Sequence, residues 1–143
     1  MTRLRLVLDT NVWLDWLVFD DPAIVPIRDA LAAKRVEILI DTACEAELER
    51  VLAYYLGPHT LDAAGQAQCI AECRRLARRI DAPMPEAERA QLPAGRDVDD
   101  QKFLEAALAA GAAFLITQDR ALLDLARGAL PFRIVTPEGF AGL

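Results

Sequence analysis

Arg5-Leu6-Val7-Leu8-Asp9-Thr10-Asn11-Val12-Trp13-Leu14 decides the fold. An apolar run that ends in Asp-Thr-Asn and passes into a helix-like pattern reads as a buried strand, Leu4 to Leu8. Its carboxyl end delivers an acid into a crevice, and a helix from Val12 to Phe19 follows. The same alternation recurs outward from this point. Asp20-Asp21-Pro22 breaks the first helix, and Ala23 to Lys34 resumes one. Val36 to Ile40 is β-branched and apolar, a second strand; Asp41-Thr42 then caps a helix to about Leu56, where Gly57-Pro58 stops it. Thr60 to about Ile80 reads as a further helix, and Asp81 to Arg96, carrying Pro83, Pro85, Pro93 and Gly95, as a connecting loop. Asp99-Asp100 opens a helix closed by Gly111, and Ala113 to Thr117 is a strong strand. A helix begins at Asp119 and ends near Gly128; Phe132 to Val135 is a last short strand, and Thr136-Pro137-Glu138 starts a terminal turn. Strands alternating with helices imply an α/β fold, a parallel sheet covered on both faces with right-handed crossovers. No internal repeat or low-complexity tract divides the chain, so residues 1–143 read as a single domain.

The stripes expected to be buried follow from helical spacing. Cys44, Leu48, Val51, Leu52 and Tyr55 line one helix, and Cys69, Ile70, Cys73, Leu76 and Ile80 another. Trp13, Trp16 and Phe19 recur at a spacing of three, either core or a subunit interface. Three cysteines without a neighbouring histidine suit buried thiols better than a zinc site. Arg74, Arg75, Arg78 and Arg79 form the one dense basic group, a solvated face or a hold for a phosphate backbone.

The composition, 54% apolar and 27% charged over 143 residues, belongs to a globular chain with enough core to need no disulfide or structural metal. No apolar run reaches the roughly 18 residues of a membrane span. The N-terminus shows no secretory pattern, so a cytoplasmic protein without membrane attachment is expected. A net charge of −6 is unusual for a nucleic-acid binder, whose affinity comes largely from phosphate contacts. A cluster of acids neutralised by a divalent ion would reconcile the two.

Four acids are placed to form such a cluster. Asp9 follows one strand and Asp119 lies two residues beyond another, at the strand ends where parallel sheets build their sites. Glu47 borders the apolar stripe of its helix. Asp100 lies three before Phe103 and four before Leu104, over the face that packs on the sheet. Each has a plainer reading: Asp9, Asp99 and Asp119 as helix caps, Glu47 as a surface charge. Together and unpaired they would repel, so a positive charge should sit among them, and no lysine or histidine is an obvious candidate; His59, the one histidine, lies in a Gly-Pro-His turn. Oxygen-only ligands select Mg²⁺ or Mn²⁺ over zinc, and such an ion implies metal-dependent phosphodiester hydrolysis. Thr10, Asn11 and Thr117 would orient the carboxylates or a water.

The four blocks around these acids resemble those of the PIN domain family, in particular the bacterial toxin components of toxin–antitoxin systems. They are Leu8-Asp9-Thr10-Asn11-Val12, the stretch Glu47 to Leu52, the stretch Asp99 to Ala107, and the stretch Leu115 to Leu123. The resemblance runs from about Leu4 to Val135. It implies a three-layer α/β/α fold around a central, mostly parallel sheet and a Mg²⁺- or Mn²⁺-dependent endoribonuclease. The family's acids fall on Asp9, Glu47, Asp100, with Asp99 as the close alternative, and Asp119; Thr10, Asn11 and Thr117 match its supporting positions. Glu45 and Glu49 do not match. An RNA substrate, an antitoxin that covers the site and a homodimer are the partners implied. Trp13, Trp16 and the Asp20-Asp21-Pro22 break are not general features of the family.

Two other readings compete. One is a non-catalytic interaction module that keeps the fold. The other is a phosphotransfer enzyme with Asp9 as nucleophile, which would favour a second aspartate where Asn11 stands and a lysine near the phosphate.

Overall fold

The computed structural model describes residues 2–81, 86–90, 92, 98–128 and 130–143, with the side chains at 98, 99 and 127 left aside. Five strands, β1 (Leu4–Leu8), β2 (Val36–Asp41), β3 (Ala77–Ile80), β4 (Phe114–Ile116) and β5 (Arg133–Val135), form one sheet in the order β3-β2-β1-β4-β5. All four pairings are parallel. Leu6, Val7 and Leu8 are consecutive and all buried; since neighbouring residues point to opposite faces, both faces of β1 are covered. The described helices are α1 (Thr10–Leu17), α2 (Val25–Ala32), α3 (Thr42–Leu52), α4 (Ala63–Leu76), the exposed single turn α5 (Glu86–Arg89), α6 (Val98–Ala110), α7 (Arg120–Asp124) and α8 (Pro137–Ala141). The expected α/β architecture with a parallel sheet is the one observed.

Local chemistry explains several boundaries. The Asp41 side chain accepts from the Cys44 N–H at 2.8 Å and so starts α3. At the end of α6, Gly111 takes φ +60, its N–H reaches Leu108 O at 3.1 Å, and the Ala112 N–H reaches Ala107 O at 3.0 Å. This paired closure satisfies the last carbonyls and needs a residue at ease in the left-handed region. Leu17 ends α1, and Asp20, at φ +49, turns the chain into a 3-10 turn at Pro22–Ile24 before α2.

The expected helix from Thr60 to Ile80 is corrected in two places. A 3-10 turn occupies Gly57–His59, α4 spans only Ala63–Leu76, and Ala77–Ile80 is a strand paired with β2. Ile80 lies four places after Leu76, so the apolar spacing of the helix carries over into the strand by coincidence. Arg78 and Arg79 suit an edge strand, where charge discourages pairing with another chain. The second correction concerns α3, which ends at Leu52, short of the expected Leu56; Tyr55 therefore lies outside the buried stripe and is 86% exposed. The stretch read as a loop from Asp81 to Arg96 contains the single turn α5; residues 82–85, 91 and 93–97 lie outside the described residues.

The core takes in Cys44, Cys69 and Cys73, all free thiols. Burial pushes the Cys73 thiol up to about 12 and raises those of Cys44 and Cys69, so they behave as small apolar groups. Of the aromatic stripe, Trp13 is buried and stacks on the half-buried Trp16 with centroids 5.9 Å apart, while Phe19 is exposed against His59. No described helix is long and apolar enough to cross a membrane.

Candidate acidic site

Going along the chain, the sheet grows from β1 through β2 to β3, then returns to the other side of β1 for β4 and β5. Strand order therefore reverses between β1 and β4, the place where open parallel sheets form crevices at their carboxyl ends. The Asp9 N–H bonds Ile116 O at 2.9 Å, which extends the ladder to this point and fixes Asp9 beside the end of β4. Asp9 occupies the N-cap position of α1, yet its side chain makes no capping hydrogen bond; the backbone N–H of Thr10 beside it favours its charged form. Asp9 Oδ2 accepts from the Thr117 hydroxyl at 2.6 Å. Thr117 in turn accepts the Asp119 N–H at 2.9 Å, so one hydroxyl ties the two strand ends together. Asp119 is a true cap, accepting from the Ala121 N–H at 2.9 Å.

Glu47 enters from α3. Its Oε2 accepts from the Thr10 hydroxyl at 2.6 Å, and its Oε1 pairs with Lys102 Nζ at 2.9 Å and more distantly with Arg50 at 3.7 Å. Lys102 comes from α6, which packs on α3 closely enough for Cys44 Sγ to lie 3.7 Å from the Lys102 carbonyl oxygen. Asp100 is buried on α6, and Asp99, its alternative, lies outside the residues whose side chains are described. Asn11 is exposed in the first turn of α1.

Asp9 is only 5% exposed, and burial raises its pKa above the ordinary value, opposed by the bond from Thr117. The charges of Asp119 and Glu47 push it further in the same direction. Asp9, Glu47 and Asp119 are thus electrostatically coupled, and Asp9 lies among like charges. This donor set, carboxylates and hydroxyls without nitrogen or sulfur, fits a hard divalent cation in its chemistry. Among the described residues no three acidic, cysteine or histidine side chains stand grouped so as to hold an ion, and Glu47 is turned to Lys102 and Thr10.

Lys102 corrects the expectation that no lysine would serve as counter-charge. It lies two positions after Asp100, about 200° around the helix, so spacing along α6 places the two on different faces. Only the sideways approach of α3 brings Glu47 to it. Glu45, left out on sequence grounds, is also buried, but it faces away from this group: Arg74 Nε and Nη2 bond its Oε1 at 2.9 and 2.6 Å, joining α3 to α4. The other arginines of the basic group are likewise paired, Arg75 with Glu72, Arg78 with Glu37 and Arg79 with Asp81.

A parallel sheet flanked by helices, with acids from β1, α3 and the end of β4 at its switch point, defines a class: α/β proteins with a crevice of carboxylates at the strand ends. The model of the PIN domain family matches residues 5–121, and the chain belongs to that family. PIN domains are generally nucleases. Among solved structures, the chain is similar to VapBC2 from Rickettsia felis bound to a DNA fragment from their promoter, with TM-score 0.65 at 16% identity over 93% of this chain and 98% of that one. It is also similar to PAE2754 from Pyrobaculum aerophilum, with TM-score 0.58 at 16% identity over 97% and 88% of the two chains. At such identities the likeness is one of fold. No curated protein matches the chain by sequence.

Proposed function

We propose that the chain is a Mg²⁺- or Mn²⁺-dependent endoribonuclease that acts in the cytoplasm as the toxin of a toxin–antitoxin pair. The observation that carries the reading is the buried Asp9 carboxyl at the β1–β4 switch point, pushed up by burial and by the charges of Asp119 and Glu47. Asp9, Glu47, Asp100 and Asp119 would hold the cation. A bound divalent ion supplies an activated water and charge stabilisation for the phosphodiester in reaction. Thr117 fixes the rotamer of Asp9, Thr10 fixes that of Glu47, and the bond from the Asp119 N–H holds the Thr117 hydroxyl so that its hydrogen points to Asp9. Asn11, exposed at the rim, and Asp99 keep supporting roles in this reading.

The fold shared with VapBC2, a structure bound to promoter DNA, supports an antitoxin as a second partner that covers the crevice; a homodimer completes the assembly. The Lys102–Glu47 ion pair favours one other reading, an interaction module that keeps the fold without the chemistry. Purified protein incubated with a structured RNA decides between them. Cleavage that needs Mn²⁺, stops with EDTA and is lost in Asp9→Asn is expected. Cleavage unchanged in Asp9→Asn overturns the nuclease reading, and so does the absence of cleavage by the folded wild type.

A further inference from the structure

The chain has two lysines, Lys34 and Lys102. Lys34 is exposed on a turn, whereas the Lys102 side chain is 18% exposed and ends 2.9 Å from Glu47 Oε1. Glu47 is itself 11% exposed, so this pair is far better shielded from water than the arginine pairs of the surface. Among the described residues two other groups face Glu47. Thr10 donates a neutral hydroxyl to the opposite oxygen, and Arg50, 54% exposed, stands off at 3.7 Å. Among the described residues Lys102 therefore brings the nearest positive charge to Glu47, at 2.9 Å against 3.7 Å for Arg50. An ammonium and a divalent cation are alternatives for the same carboxylate oxygen, since both need its lone pairs and its charge.

We infer that Lys102 is a resident counter-cation of the acidic site, a positioning residue that holds Glu47 in the cation-free protein and that a divalent ion must displace from Glu47 Oε1. The inference rests on the nuclease reading for the identity of the ion. Without Lys102, Glu47 keeps, among the described residues, Thr10 and the distant Arg50, a buried carboxylate short of a close cation, and the cation-free fold loses stability. The same loss removes the competitor, so the site takes a divalent ion more tightly. A lysine with a purely structural role would lower stability with and without the ion and leave affinity unchanged or weaker.

The test is a calorimetric Mn²⁺ titration of the full chain as wild type, Lys102→Met, Lys102→Arg and Asp9→Asn, with melting curves in EDTA and in saturating Mn²⁺. Lys102→Met is expected to bind Mn²⁺ about tenfold more tightly than wild type, the scale of one lost charge-assisted hydrogen bond. It should melt lower in EDTA and gain more from Mn²⁺ than wild type gains, while Lys102→Arg stays near wild type. If Lys102→Met does not fold, Lys102→Gln, which keeps a donor without the charge, serves the same comparison. Wild-type binding with unchanged or weaker affinity in the uncharged variant overturns the inference and leaves the nuclease reading standing. No Mn²⁺ binding by any folded variant overturns both.

Discussion

The hydroxyl of Thr117 lies 2.6 Å from Asp9 Oδ2, joining two residues 108 positions apart in the chain and both shut away from solvent. Thr117→Val removes the bond while keeping the shape of the side chain. Single-turnover RNA cleavage is expected to fall by about 10- to 100-fold, the usual cost of losing a group that orients a ligand, with the fold intact by circular dichroism. Thr117→Ser should retain most of the rate.

Asp9 gives the protein a pH signature. Its folded pKa is raised above the ordinary 3.8, so between these values the native state holds more protons than the unfolded chain. Stability from this group therefore falls as pH rises through that window and is greatest below it. Melting curves in EDTA at a series of pH values should show the decline in wild type and a flatter profile in Asp9→Asn. The variant should also melt higher than wild type at neutral pH, because it removes a buried charge that has acidic neighbours. A variant that melts lower at neutral pH would show that the hydrogen bonds accepted by the Asp9 carboxylate outweigh its burial among acidic neighbours.

Glu45 predicts a non-additive pair. Among the described residues, Arg74→Ala leaves its buried carboxylate with only the distant Arg79, at 3.9 Å, and Oε2 already lacks a partner there. Each single replacement, Arg74→Ala or Glu45→Leu, breaks the pair; removing Arg74 alone should lower Tm the more. The double variant Glu45→Leu with Arg74→Ala should recover a large part of the loss, since no buried carboxylate is then left without its counter-charge. Strict additivity of the two single effects would contradict this account.

Trp13 separates packing from hydrogen bonding. It is fully buried, and its Nε1 has no hydrogen-bond partner among the described residues. Trp13→Ala should cost about 3–5 kcal/mol in a urea melt, the range for deleting a large aromatic from a core. Trp13→Phe should cost much less, as it discards an unsatisfied donor together with one ring.

How far the sequence could be read is clear from particular residues. Asp9 was legible because a strand end and an acid coincide in adjacent letters, and Gly111 because helix closure in the left-handed region has its own residue preference. Ala77–Ile80 was not, since four residues hold too few repeats to separate a period of 2 from one of 3.6. Tyr55 was misplaced because α3 stops one turn early, at Leu52, well before the Gly57-Pro58 pair that marks a stop in the sequence. Lys102 escaped because its pairing with Glu47 spans two helices whose approach no spacing within either helix encodes.

The sheet order has a consequence for the life of the chain. β4 is the partner of β1, yet it is made more than 100 residues later, and Thr117 and Asp119 come later still. A ribosome-bound fragment can complete the β1–β2–β3 half, but it carries no crevice until the fourth strand has emerged and slotted in beside the first. The acids therefore assemble only after β4 has been made, and any molecule that binds the assembled crevice meets it no earlier than that.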